Sequence, residues 1–300
     1  MDSWNWIKFS RKLKCHSHKE LVEILVSIQN PCMSKTIHFV SGLPRAGSTL
    51  LMNLLAQNEK VHSTATSGLH EIGYIARQFH STEEFKTIPN PRDGETLFYD
   101  YVKGGCENAF NRLTDRPIVA DKCRSWVGHL DMLFAIWPNA KVLVPVRDMR
   151  GILSSFEKKW QKHPFPFTGV EKQNPQNWTT IEKRSQGWLN IPPLGIAVER
   201  LSDAVKRHKD KLHFVHFESL TEEPKETMEA VWNYLGLESP AHNFKNVEQY
   251  TTEHELGWPY GDHTIRNKVE PLKKDWDGVL GKEFSQQISE SFSRAYFVHR

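Results

Sequence analysis

Gly42-Leu-Pro-Arg-Ala-Gly-Ser-Thr49 places two glycines, an arginine and two adjacent hydroxyls between an apolar, β-branched run at Ile37–Ser41 and a helical pattern over Gly47–Gln57. A strand that turns sharply into a helix aims unpaired backbone N–H groups at one point, with the positive end of the helix dipole behind them. That is chemistry for an oxyanion. Gly42 and Gly47 let the backbone come close to a phosphate. Ser48 and Thr49 offer hydroxyl donors, and the Arg45 guanidinium can grip oxyanions in bidentate fashion. The two glycines keep the spacing of a Walker A loop, G-x-x-x-x-G-K-[ST]. Ser48 stands where that pattern has lysine, and the cation has moved into the loop as Arg45. A Mg²⁺-dependent NTPase is weakened by this change.

A second group lies a hundred residues on. Lys141–Val146 reads as a buried strand, and Arg147-Asp148 follows it. Arg147 is expected at the C-terminal edge of a sheet, where open α/β folds bind ligands. Asp148 is expected to cap the next helix. Ser155, with Lys159 a turn further on the same face, would complete a second phosphate site. The competing reading pairs Arg147 with a carboxylate and leaves Ser155 to pack.

Elements that could hold these groups alternate along the chain. Strands are expected at Thr36–Ser41, Val61–Thr64, Pro117–Ala120, Lys141–Val146 and Leu212–His216. Helices are expected at Gly47–Gln57, Leu69–Phe79, Glu95–Leu113, Trp126–Ile136, Met149–Trp160 and Lys225–Leu235. No element is assigned between Trp160 and Leu212. Such alternation implies an α/β fold, a parallel β-sheet flanked by helices. His163–Asn177 and Asn243–Asp277 break the rhythm and read as long loops, the second anchored by Trp258 and Tyr260. Residues 1–32 carry five Lys/Arg between Lys8 and Lys19, then an amphipathic helix around His18–Gln29. They read as a basic, helical N-terminal extension before a main domain over 33–300, for which Met33 is a natural start.

Bulk properties narrow the function. A net charge of +3 over 300 residues is too weak to argue for nucleic acid but suits a small polyanion. Four cysteines without a C-x-x-C pair indicate a reduced, cytoplasmic chain. Fifteen histidines form no metal-ligand grid. The apolar stretch Leu21–Ile28 is interrupted by Glu23 and is far short of the ~20 residues a membrane span needs.

Together the two anion motifs resemble the PAPS-dependent sulfotransferase family, nearest its tyrosylprotein branch. Pro44-Arg45-Ala46-Gly47-Ser48-Thr49 is similar to the family's Pro-[Lys/Arg]-x-Gly-[Ser/Thr]-Thr loop. Arg147 and Ser155 are similar to its arginine at a strand end and the serine eight residues later. Ala120-Asp121-Lys122 resembles a strand that ends in a catalytic lysine, and Phe214–Leu220 with the helix to Leu237 resembles a further segment. The resemblance implies a P-loop NTPase-like sulfotransferase fold with PAPS as co-substrate, PAP as product and no metal. Arg45, Ala46, Gly47, Ser48, Thr49, Arg147, Ser155 and Lys268 would bind the nucleotide. Lys122, Arg45 and Glu71 would be catalytic. The acceptor would be a small molecule, a carbohydrate or a peptide. The sequence departs from the tyrosylprotein branch after Val61–Thr64. Ala65–His70 stands where a glutamate is expected, and Glu71 comes later, so His70 competes with Glu71 as base. Lys273 and Lys274 read as a solvated face.

Two rivals belong to other classes. A metal-dependent kinase would need Asp148 or Asp121 as a Mg²⁺ ligand. A non-catalytic nucleotide-binding regulator would need Arg45 and Arg147 but neither Lys122 nor Glu71.

Overall fold

A computed structural model of the chain describes residues 35–88, 90–162, 178–252 and 263–293. The chain divides into two compact units, Met1–Ser34 and Lys35–Arg300, and every described residue belongs to the second. The helix expected around His18–Gln29, the loop His163–Asn177, and Trp258 and Tyr260 lie outside the described residues.

Five short strands pair in the order β2-β3-β1-β4-β5, all parallel: β1 (Thr36–Val40), β2 (Val61–Ser63), β3 (Ile118–Lys122), β4 (Val142–Val146) and β5 (Leu212–His216). Strand pleating sends alternate side chains to opposite faces. Ile37 and Phe39 of β1 and Val142, Val144 and Val146 of β4 enter one core; Val40 and Leu143 enter the other. The larger core holds helices α2 (His70–His80), α3 (Pro91–Leu113), α4 (Leu130–Ile136), α5 (Met149–Lys162), α6 (Ile181–Asn190) and α7 (Leu194–His208). Here Phe39 meets Trp126 edge-on with centroids 4.8 Å apart. The smaller core is filled by α1 (Ser48–Leu55) and, after the short α8 (Phe217–Glu222), by α9 (Pro224–Leu235). Both faces of the sheet are thus covered, as all-parallel sheets require. Two helices close the described chain, α10 (Trp276–Leu280) and α11 (Lys282–Phe292), and pack on α5.

From β1 the chain leaves toward β2, and from β4 it leaves toward β5 on the other side. The crevice between β1 and β4 is therefore a topological switch point, where α/β sheets bind ligands. Every strand expected from the sequence exists to within two residues at its ends. The expected helix over Trp126–Ile136 is instead a 3₁₀ turn at Trp126–Gly128 followed by α4. Helices α6, α7, α8, α10 and α11, and a short helix at Glu83–Lys86, were not foreseen.

Candidate active site

The loop from β1 to α1 continues along β4: Ser41 N–H donates to Leu143 O and Leu43 N–H to Pro145 O, both at 3.0 Å. This close approach explains Gly42. A β-carbon there would collide with the backbone of Pro145. Gly47, at φ 80°, is pressed against the Phe217 ring in the same way. Beyond the close phosphate approach expected of them, both glycines are required by packing of the loop against β4 and α8, which fixes the loop's shape. Arg45 is the single non-glycine with positive φ among the described residues, at 62°. Such strain persists only where the surroundings enforce it, and it concentrates at functional sites. Helix α1 starts at Ser48 without a side-chain cap. The N–H groups of its first turn are open to an anion. Ala46 contributes only backbone, because its side chain is buried.

Arg45 Nε donates to Ser155 Oγ at 2.9 Å, and Arg147 Nη1 donates to the Arg45 carbonyl at 3.1 Å. The two motifs expected to bind separate phosphates are thus one connected group. Arg147 lies over the Phe217 ring, 4.5 Å from its centroid. Burial pushes the guanidinium down to about 10, Glu218 opposes this and Arg45 reinforces it. Arg147 remains a cation at neutral pH, poorly solvated, and an incoming anion would relieve it. Asp148 does cap α5: its Oδ1 accepts from Arg150 N–H at 2.9 Å and its carboxylate clamps the Arg150 guanidinium. Glu218 Oε1 accepts from Asp148 N–H at 3.1 Å.

Lys122 ends β3, paired with Val40 of β1, and is 7% exposed. Asp121 points to the other face and is fully buried, accepting from Thr64 Oγ1 at 3.0 Å and Trp126 Nε1 at 2.7 Å. Burial pushes its carboxyl up, against hydrogen bonds from Ser67, Trp126 and Thr64. Asp121 therefore braces β2, β3 and Trp126. With Asp148 engaged by Arg150, neither carboxylate named for the kinase reading stands in the cleft.

That cleft has a volume of about 1050 Å³ and takes in the loop, Lys122, Arg147 and Ser155, with His70 and Glu71 at the start of α2. His70 Nε2 lies 2.9 Å from Glu71 Oε1, and Nδ1 lies 3.1 Å from Cys123 Sγ. Burial lowers the pKa of His70, with Glu71 opposing. Among the described residues, eleven Lys/Arg and three Asp/Glu line the cleft, a field suited to a polyanion. Lys268 stands at the rim, exposed and paired with Glu270 at 2.9 Å. Lys273 and Lys274 are both exposed, as expected; Lys274 pairs with Glu222 and Lys273 borders the cleft.

Sequence reasoning missed three contributors. Arg124 lies two residues after Lys122, and Arg200 of α7 reaches over Gly128 to the Ser125 hydroxyl at 3.4 Å. Asn53 is fully buried on α1 among Leu51, Met52, Leu54 and Leu55; its Oδ1 accepts from Tyr250 and Thr251 N–H and its Nδ2 donates to Thr251 Oγ1. Gln249 ties that segment to His263 and Ile265, so Asn53 positions the strip that carries Arg266 and Lys268. A lone amide inside an apolar helix was the available signal.

Fold and site define an α/β protein with a cation-lined cleft and a P-loop-like turn at its switch point. A sequence model described as the Sulfotransferase family matches residues 38–241, about two thirds of the chain, and the chain belongs to that family. No curated protein sequence matches it. Among solved structures it is similar to the sulfotransferase domain from the curacin biosynthetic pathway, with a TM-score of 0.49 and 16% identity over 86% of this chain and 98% of that one. It is also similar to the sulfotransferase domain of the Synechococcus PCC 7002 olefin synthase (0.45; 17%; 88% and 98%). A third is a mouse sulfotransferase solved in complex with PAP (0.47; 11%; 88% and 88%). No helix among the described residues is long and apolar enough to cross a membrane.

Proposed function

We propose that residues 33–300 form a catalytic domain that transfers a sulfuryl group from PAPS to an acceptor hydroxyl or amine and releases PAP. The observation that carries this reading is the linked set Arg45, Ser155 and Arg147, with Lys122 in the same cleft. The amides of Ala46 to Thr49, the Ser48 and Thr49 hydroxyls and Arg45 would hold the 5′-phosphosulfate. Arg147 and Ser155 would hold the 3′-phosphate, and Lys268 would contribute from the rim. The acceptor oxygen or nitrogen attacks sulfur as the bond from sulfur to the bridging phosphate oxygen breaks. Lys122 stabilises the charge that develops on that oxygen, and Glu71 takes the acceptor's proton. Positioning and fixed charge supply most of the rate enhancement.

Glu71 fits the base better than His70 does. Its side chain is 62% exposed and lines the cleft, whereas both ring nitrogens of His70 already have partners. The Lys122 strand end supports a position near the tyrosylprotein branch, and the late Glu71 departs from it. The acceptor would be a small molecule, a carbohydrate or a peptide.

The test is a PAPS turnover screen over phenols, carbohydrates, lipid alcohols and peptides, run with and without EDTA. The expected result is PAP release with at least one acceptor class, unaffected by chelation. Turnover that vanishes in EDTA and returns with Mg²⁺ would favour the kinase, and PAP binding without turnover on any acceptor would favour the regulator.

A further inference from the structure

His70 is only 8% exposed although it borders the cleft. Its Nδ1 faces Cys123 Sγ at 3.1 Å and its Nε2 faces Glu71 Oε1 at 2.9 Å. A neutral imidazole has one donor and one acceptor nitrogen, and an ionised carboxylate only accepts. The proton on a neutral ring must therefore sit on Nε2 to satisfy Glu71. Nδ1 is then an acceptor, and the one proton available to that contact is the thiol's. Burial pushes the Cys123 thiol up and so keeps it protonated, and burial lowers His70 and so keeps it neutral. The three side chains thus have one self-consistent proton arrangement, which leaves Glu71 Oε2 without a partner among the described residues.

We propose that His70 is a positioning residue that holds Glu71 through Nε2–H, and that the Cys123 thiol fixes the tautomer in which it does so. The role of Glu71 rests on the sulfotransferase reading; the tautomer does not.

The groups facing the imidazole are Glu71 and Tyr74 on its own helix, Cys123 and Asp121 at the end of β3, His129, and Arg200 from α7. The anions favour a protonated ring and Arg200 disfavours it. Without the thiol donor Nδ1 is open to a second proton. Cys123→Ala should then raise the pKa of His70 and move the acid limb of kcat to higher pH by on the order of one unit, because a cationic ring weakens Glu71 as a base. Cys123→Ser, which keeps a donor, should restore the limb.

Two measurements decide the matter. Nitrogen-15 NMR of the unsubstituted protein reads the tautomer directly and needs no variant to fold. The expected spectrum has Nε2 protonated and Nδ1 bare; a protonated Nδ1 overturns the proposal. In steady-state kinetics His70→Ala should lower kcat roughly ten- to hundredfold, the worth of one hydrogen bond to a charged group. The KM for PAPS should hold, and His70→Gln, whose amide can replace Nε2–H, should recover most of the loss. Equal losses in both variants would make His70 the base and overturn the positioning role. Complete absence of PAPS turnover would instead overturn the functional reading, with the tautomer still decided by the spectrum.

Discussion

The loop half of the cleft hangs from two adjacent strands: residues 42–49 leave β1, Arg147 leaves β4, and Ser155 follows on the first turns of α5. The Glu71 half is assembled from the start of α2, the residues after β3, and α7, which are far apart in sequence. The first half is tied by short hydrogen bonds among its own members, Arg45 to Ser155 and Arg147 to the Arg45 carbonyl. The second is held through intermediaries: Cys123 to His70 to Glu71, and Arg200 to Ser125. A site for a constant ligand is written into contiguous motifs that the sheet aligns by register. On the proposed function, the acceptor side would be delivered by helices whose placement depends on packing, and its chemistry could change without disturbing the first.

This contrast can be broken by substitution. The largest effect should come from Lys122→Ala, which removes a charge needed mainly in the transition state. We expect kcat to fall by about 10²–10³ while PAP affinity, measured by calorimetry, changes little. A parallel collapse of PAP binding would make Lys122 a ground-state ligand. Next is Arg147→Ala, expected to weaken PAP at least about tenfold at the ~1.5–3 kcal/mol of a charge-assisted hydrogen bond, with AMP barely affected. Similar losses for both nucleotides would detach Arg147 from the 3′-phosphate. Arg200→Ala probes the other half and should raise the KM of an anionic acceptor several-fold, leaving PAP affinity unchanged. If PAP weakens instead, the two halves are not separable. Lys268→Ala should have the smallest effect, within about twofold on PAP affinity, because this exposed lysine already has Glu270 as a partner.

The same division explains what was legible in the sequence. The strands, the loop and the Arg147–Ser155 pair could be read because each depends on local chemistry: apolar alternation, glycine at a turn, a capping aspartate. The packing that also demands glycine at 42 and 47 could not be read, because Pro145 and Phe217, which crowd them, are distant in sequence. Helix α6 buries only Ser185 and Trp188, and α7 buries Leu194 and Leu201 with two alanines between and beyond, so their apolar stripes are faint. Arg200 rides on α7 and was lost with it. Asn53 was visible as an amide among leucines, but its partner strip at Tyr250–Thr251 has no periodicity to reveal it. His70 and Glu71 were both named, but the contact of Cys123 with His70 Nδ1 was visible only in space.

The central claim is that one cleft holds a nucleotide carrying both a 5′- and a 3′-phosphate. Calorimetric titration of the unsubstituted chain with PAP and with AMP, both in EDTA, tests it most directly. The account predicts that PAP binds at least about tenfold more tightly than AMP, since only PAP reaches the Arg147 and Ser155 pocket. Equal affinities for the two nucleotides would contradict it.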